Sequence, residues 1–187
     1  MKDRIERGEV SLAFHGSACR INRFTSGQVG QGRDSNSSLG LCLSHIPLNA
    51  MDYAQSSNEN GEGDQVLVYV VAYPMAGHSL EMTPDEFFGI LVDDSKAPAA
   101  HFSSLRDDLL SRGFDRAECD TGEDAITVVL NPDHCQIVAV LDPQHIEELE
   151  CSGIDCMDSL ALLEVIKPYI PTPGPIIQRA MDTYEHS

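Results

Sequence analysis

The sequence predicts a single α+β domain, and three observations carry that prediction. Helices come early and short hairpins late, which is not the strict βαβ alternation of a parallel sheet. The 187 residues suffice for one real core, because a chain of this size buries roughly 70% of the surface its unfolded form exposes; a second domain would be cramped. With 42% hydrophobic and 22% charged residues and no tryptophan, composition lies in the ordinary globular range.

The elements follow in order. VSLAFH (10–15) reads as a short strand. GSACRINRFTSGQVGQGRDSNSS, rich in glycine and serine, is a long loop to residue 38, and long ordered loops tend to be functional. LGLCLS (39–44) is a second strand; Ser44 as N-cap and Pro47 in the first turn then open a helix to about Gln55. QVLVYVVAY (65–73) is the strongest strand, dense in β-branched and aromatic residues. Thr83-Pro84 open the helix TPDEFFGIL, and a linker containing Pro98 leads to FSSLRDDLLSRG, where Leu105, Leu109 and Leu110 share a face and Gly113 stops the helix. FDRAE, AITVVL and QIVAVL are the late strands, with NPDH joining the last two. Beyond residue 142 come PQHIEELE and SLALLEVI, then IPTPGP and a short terminal helix. The expected organisation is therefore 1–142 as the main body and 143–187 as a helical extension packed on it.

Thirty acidic against twelve basic side chains give a formal charge of −18, a field that repels phosphate backbones and anionic lipid, so neither nucleic acid nor a membrane is an expected partner. Half of the basic residues (Lys2, Arg4, Arg7, Arg20, Arg23 and Arg33) fall in the first 33 positions. No stretch approaches the roughly 20 apolar residues of a membrane span, and MKDRIERGEV is too polar for a secretion signal, so a cytoplasmic protein is expected as synthesised, delivery to another cell not excluded. The six cysteines are expected as thiols, and Cys151 and Cys156 lack the second pair a zinc site needs, so no metal is expected.

Three segments, in order, resemble the signature regions of the ADP-ribosyltransferase family. Phe14-His15-Gly16-Ser17 resembles its H-G-[ST] motif. LGLCLSHIPLNAMDYA (39–54) resembles its G-x-Y-F-[TSA] strand and following helix, through Gly40, Ser44, Ala50, Tyr53 and Ala54. Residues 109–140 resemble its closing helix, G-[FY]-D strand and final hairpin, through Gly113, Phe114, Asp115, Val128, Val129, Asn131, Pro132 and Ile137. The resemblance covers residues 11 to 142 and implies two small antiparallel sheets framing a cleft for NAD. It implies that His15 contacts the adenosine ribose, that the Gly16 backbone grips the nicotinamide carboxamide, and that ADP-ribose passes to an acceptor, a protein or a small molecule. A residue without Cβ suits that grip, because the main chain can approach a flat amide closely.

Two positions depart from the family pattern. Cys42 stands where a tyrosine stacks on nicotinamide, and Ile126 where a glutamate stabilises the transition state. Losing such an electrostatic contact is typically worth about two to three powers of ten in rate. Glu123 and Asp124 either supply that carboxylate in a shifted register or are turn residues behind Gly122. The candidate catalytic residues are thus His15, Cys42, Glu123 and Ile126. The candidate NAD-binding residues are His15, Gly16, Ser17, Arg20, Ser38, Gly40, Ser44 and Tyr53. Arg20, Arg23 and Arg33 are either solvated loop charges or cations drawn to the pyrophosphate.

Other classes leave traces. A catalytically degenerate fold that binds a nucleotide or a protein fits the two departures. Gly77-His78-Ser79-Leu80-Glu81 nearly matches a serine-hydrolase elbow. Asp158-Ser159-Leu160 resembles the attachment site of carrier proteins, although a helix N-cap explains the same residues.

Overall fold

The computed structural model describes residues 1–32, 34–89 and 98–171. The chain is a mixed α+β fold with one seven-stranded sheet. Its elements are α1 (Lys2–Glu6), β1 (Val10–Ser17), β2 (Leu41–Ser44), α2 (Pro47–Glu59), β3 (Leu67–Pro74), β4 (His78–Met82), α3 (Pro84–Phe87), α4 (Pro98–Ser111), β5 (Phe114–Asp120), β6 (Ala125–Val129), β7 (Gln136–Leu141), α5 (Pro143–Cys151) and α6 (Ser159–Ile166). No described helix is long and apolar enough to cross a membrane.

The strand order is β4-β5-β6-β2-β1-β3-β7. Pairing is antiparallel except between β4 and β5, which run parallel. β1 pairs along its length with β3, from Val10↔Pro74 to Ser17↔Leu67, and β2 pairs with β6 from Leu41↔Val129 to Ser44↔Ile126. The two halves meet in one residue pair, Phe14↔Ser44. Where two separate sheets are expected, the structure therefore has one sheet with a seam a single pair wide. A continued register would bring Gly16 opposite Cys42, but the strands have parted there.

Strand alternation builds a core on each face. Leu12 and Phe14 of β1, with Val68, Val70 and Ala72 of β3, face Ala50 and Met51 of α2, Ile146 and Leu149 of α5, and Leu162, Leu163 and Ile166 of α6. The intervening residues, Ala13, Tyr69, Val71 and Tyr73, pack with Leu41, Leu43 and Phe24 on the other side. A third cluster joins Ala117, Cys119 and Val128 to Phe87 of α3 and to Phe102 and Leu109 of α4. Each fully buried Leu, Ile or Phe contributes about 1.5–3 kcal/mol.

Several expectations change in detail. Ser44 does not cap α2; Ile46 occupies the N-cap and Pro47 follows it. β4 is a strand that the sequence reading does not include, and Ser79 sits inside it, paired with Arg116. A nucleophile elbow needs its serine at a strand-to-helix turn, so the geometry removes the hydrolase reading. Asp158 caps α6, accepting from Leu160 N at 2.9 Å and Ala161 N at 3.2 Å. Ser159 is buried against Leu12 N and Ser11 Oγ, each at 2.9 Å, which leaves no opening for a carrier's prosthetic arm. The helix expected after IPTPGP, the end of TPDEFFGIL and Arg33 lie outside the described residues.

Candidate functional site

Where β1 and β2 part, a cavity of about 1010 Å³ opens, lined by residues of both strands, of α2 and of the loop between β1 and β2. The seam itself explains its most informative polar groups. Leu12 N donates to Ser159 Oγ, so the peptide groups of Leu12 point away from β3. Peptide direction alternates along a strand, and Phe14 and Gly16 therefore point their N–H and C=O the same way, toward β2. Phe14 finds Ser44 there. Gly16 finds the cavity it lines.

His15 is wedged beside this opening, with its Nδ1 3.0 Å from Cys42 O. A carbonyl only accepts, so Nδ1 carries the proton and Nε2 presents a lone pair. Phe24 meets the ring edge-on at a centroid distance of 5.2 Å, and Tyr69 lies tilted at 6.5 Å. Burial pushes the His15 pKa down, partly opposed by its bond to Cys42. The imidazole is consequently neutral at neutral pH, an acceptor and not a cation.

Gly16 has a packing reason as well. A Cβ there would stand 1.7 Å from Ala50 O, because α2 lies directly on β1. Gly40 is similarly confined, with Val129 O 2.4 Å from an added Cβ. Ser17, Gly40, Ser44 and Tyr53 line the cavity with His15, Gly16, Cys42, Glu123 and Ile126; Arg20 and Ser38 do not. Burial, with a smaller contribution from Asp34, pushes the Cys42 thiol up to about 12, so it is no thiolate nucleophile.

The β5–β6 turn decides where its acids sit. Thr121 N donates to Asp124 O at 2.9 Å, and Gly122 takes a positive φ of 80°. Glu123 is thereby an exposed turn residue at the cavity rim. Asp124 is buried, its Oδ2 2.6 Å from Ser44 Oγ and its Oδ1 accepting from His45 N at 3.2 Å. Ser44 Oγ also accepts from Ile46 N at 3.0 Å and lies 2.7 Å from Ile46 O. The pair thus fastens β2 to the hairpin. Below it, His45 Nε2 contacts Thr127 Oγ1 at 3.1 Å and Tyr73 Oη at 3.5 Å, and its buried Nδ1 has no partner.

The β1–β2 loop roofs the cavity and is pinned at several points. Tyr69 Oη accepts from Ile21 N at 2.6 Å and donates to Cys19 O at 3.2 Å. Ser26 Oγ donates to Asp133 Oδ2 at 2.8 Å, and Asn36 Nδ2 reaches Phe87 O at 3.5 Å. Sequence reasoning missed Phe24, Asp34, Asn36 and Phe88, which all line the cavity. The only signal for Phe24, Asp34 and Asn36 was membership of a long loop; Phe88 had none beyond its place beside the buried Phe87. Five lining residues carry carboxylates (Asp34, Asp52, Glu62, Glu123 and Asp124), and among the described residues no lysine or arginine joins them. Nor do three His, Cys, Asp or Glu side chains gather as a metal site among the described residues.

No family model matches the chain, and no curated protein matches it. Among solved structures, the crystal structure of the M. tuberculosis MbcT–MbcA toxin–antitoxin complex is similar, with a TM-score of 0.43 at 14% identity over 80% of this chain and 96% of that chain. That likeness is loose.

Proposed function

We propose that the cavity receives the nicotinamide end of NAD and that the chain is an ADP-ribosyltransferase-type protein that transfers ADP-ribose to a protein or small-molecule acceptor. One observation carries this reading: the peptide edge of Gly16 lies unpaired at the seam, one residue beyond the neutral His15. A carboxamide needs one donor and one acceptor side by side, and a peptide edge released from its ladder offers both. The volume is also adequate, since sites for such ligands occupy about 300–1,000 Å³.

In this reading His15, Gly16 and Ser17 hold the dinucleotide, the strand from Gly40 to Ser44 floors the nicotinamide pocket, and Tyr53 borders it from α2. Cleavage of the bond between nicotinamide and ribose develops positive charge on the sugar, so the chemistry needs negative charge near the ring more than an activated nucleophile. The hydrogen bond from His15 to Cys42 O holds the imidazole at the seam, and the roofing loop keeps bulk water from the reacting bond.

A second reading is favoured by Ile126, which pairs with Ser44 and brings no carboxylate to the cavity from β6. In that reading the protein binds NAD or ADP-ribose, or a protein partner, without chemistry. Incubation with labelled NAD, with and without candidate acceptors, separates transfer, hydrolysis and binding alone. Calorimetry with NAD tests the shared premise. His15→Ala should weaken binding at least about tenfold, the loss expected when a hydrogen-bonded ring that shapes a pocket is removed. Equal affinity in two well-folded proteins sinks the assignment.

A further inference from the structure

The cavity's charge has a chemical meaning that the Gly16 edge alone does not give. Its rim bears Asp34, Asp52, Glu62 and Glu123, all exposed, while its one imidazole is neutral. Asp34 differs from the others in position. It sits on the roofing loop at the start of the turn Ser35–Ser38, where a capping side chain would normally turn back to its own backbone, yet it makes no such bond. Its carboxylate is exposed and lines the cavity. It shares the lining of the cavity with Cys42 and Tyr53, and its charge adds to burial in raising the Cys42 thiol and the Tyr53 phenol. Glu62 adds to the effect on Tyr53.

We propose that Asp34 is a specificity-determining residue that selects a cationic N-ribosyl pyridinium ligand over the same ligand with a neutral ring. The proposal rests on the nicotinamide reading and deepens it. An oxidised nicotinamide ring joined to ribose carries a full positive charge, and the reduced ring has nearly the same shape and none. A cavity rimmed by carboxylates, with no lysine or arginine among its described lining residues, distinguishes the two by charge where size and hydrogen bonds cannot.

The test compares oxidised nicotinamide riboside, its reduced form and free nicotinamide by calorimetry on the full chain, as wild type and as Asp34→Asn, at low and at 0.5 M salt. Asp34 is exposed, so the variant should keep the wild-type melting curve. The wild type should prefer the oxidised riboside by roughly fivefold at low salt, the fold-change that about 1 kcal/mol of an exposed ion pair converts to. Both Asp34→Asn and high salt should bring the ratio close to one. Equal binding of the two ribosides to wild type, or a preference that survives Asp34→Asn, overturns the role of Asp34 while leaving the nicotinamide site standing if free nicotinamide still binds. No binding of any of the three overturns both.

Discussion

Replacing Gly16 with alanine separates the two reasons this position has for lacking a side chain. The added Cβ would lie 1.7 Å from Ala50 O, 2.7 Å from Ala50 C and 3.2 Å from Ala54 N. All three are backbone atoms of α2, so no rotamer change can relieve the overlap. Ordinary contact begins near 3.4 Å, and α2 would have to retreat from β1 by about 1.7 Å. That movement lifts Ala50 and Met51 from the core they share with Leu12 and Phe14. Overpacking of this kind costs about 1–3 kcal/mol, and a clash against backbone belongs at the upper end. For a chain of this size about 3 kcal/mol lowers Tm by about 6–12 °C. Differential scanning calorimetry of Gly16→Ala, alone and combined with Ala50→Gly, makes the comparison. The second change should give no rescue, because the offending atom is a carbonyl oxygen. A Tm within about 1 °C of wild type would refute the packing argument and leave ligand contact as the sole reason for the glycine.

Two further outcomes follow from buried polar groups. Ser159→Ala deprives the buried Leu12 N of its acceptor and should cost about 1–3 kcal/mol in urea unfolding; a loss below about 0.5 kcal/mol would mean that water replaces the hydroxyl. Burial lowers the pKa of His45, opposed in part by Asp124 and Glu118, and lowers that of His15. The unfolded chain therefore binds protons first as pH falls below the ordinary histidine value of 6.5, so stability is full above that value and declines below it. Urea midpoints of wild type should fall between pH 7.5 and 5.5 more steeply than those of His45→Gln, and parallel lines would refute the assignment to His45.

Local pattern was enough for some elements and not for others. β7 and α6 occupy the residues the sequence indicates, because QIVAVL and SLALLEVI each carry one unambiguous period between clear breakers. β4 was missed because HSLEM lacks a buried-strand pattern; it is a strand only because β5, more than thirty residues later, lies beside it. α4 begins at Pro98, where proline suggested a linker but instead occupies the first turn. At the site, the His-Gly pair was visible as a motif and the cavity does form beside it. The reason Gly16 is tightly held, the Ala50 carbonyl, is a tertiary approach that no local pattern encodes. Asp34 and Phe88 likewise become wall residues only through the path of the loops that carry them.

The seam at Phe14↔Ser44 also decides what holds the two halves of the sheet together. Eight register pairs fasten β1 to β3 and four fasten β2 to β6, whereas one joins the halves. Backbone pairing is therefore thinnest along a single line, and side chains carry the join there: Leu41, Leu43 and Val129 of one half pack with Ala13, Tyr69, Val71 and Tyr73 of the other. The cavity opens along that line and is lined by residues of both halves, so whatever fills it touches both at once and stands in for the missing strand pairs.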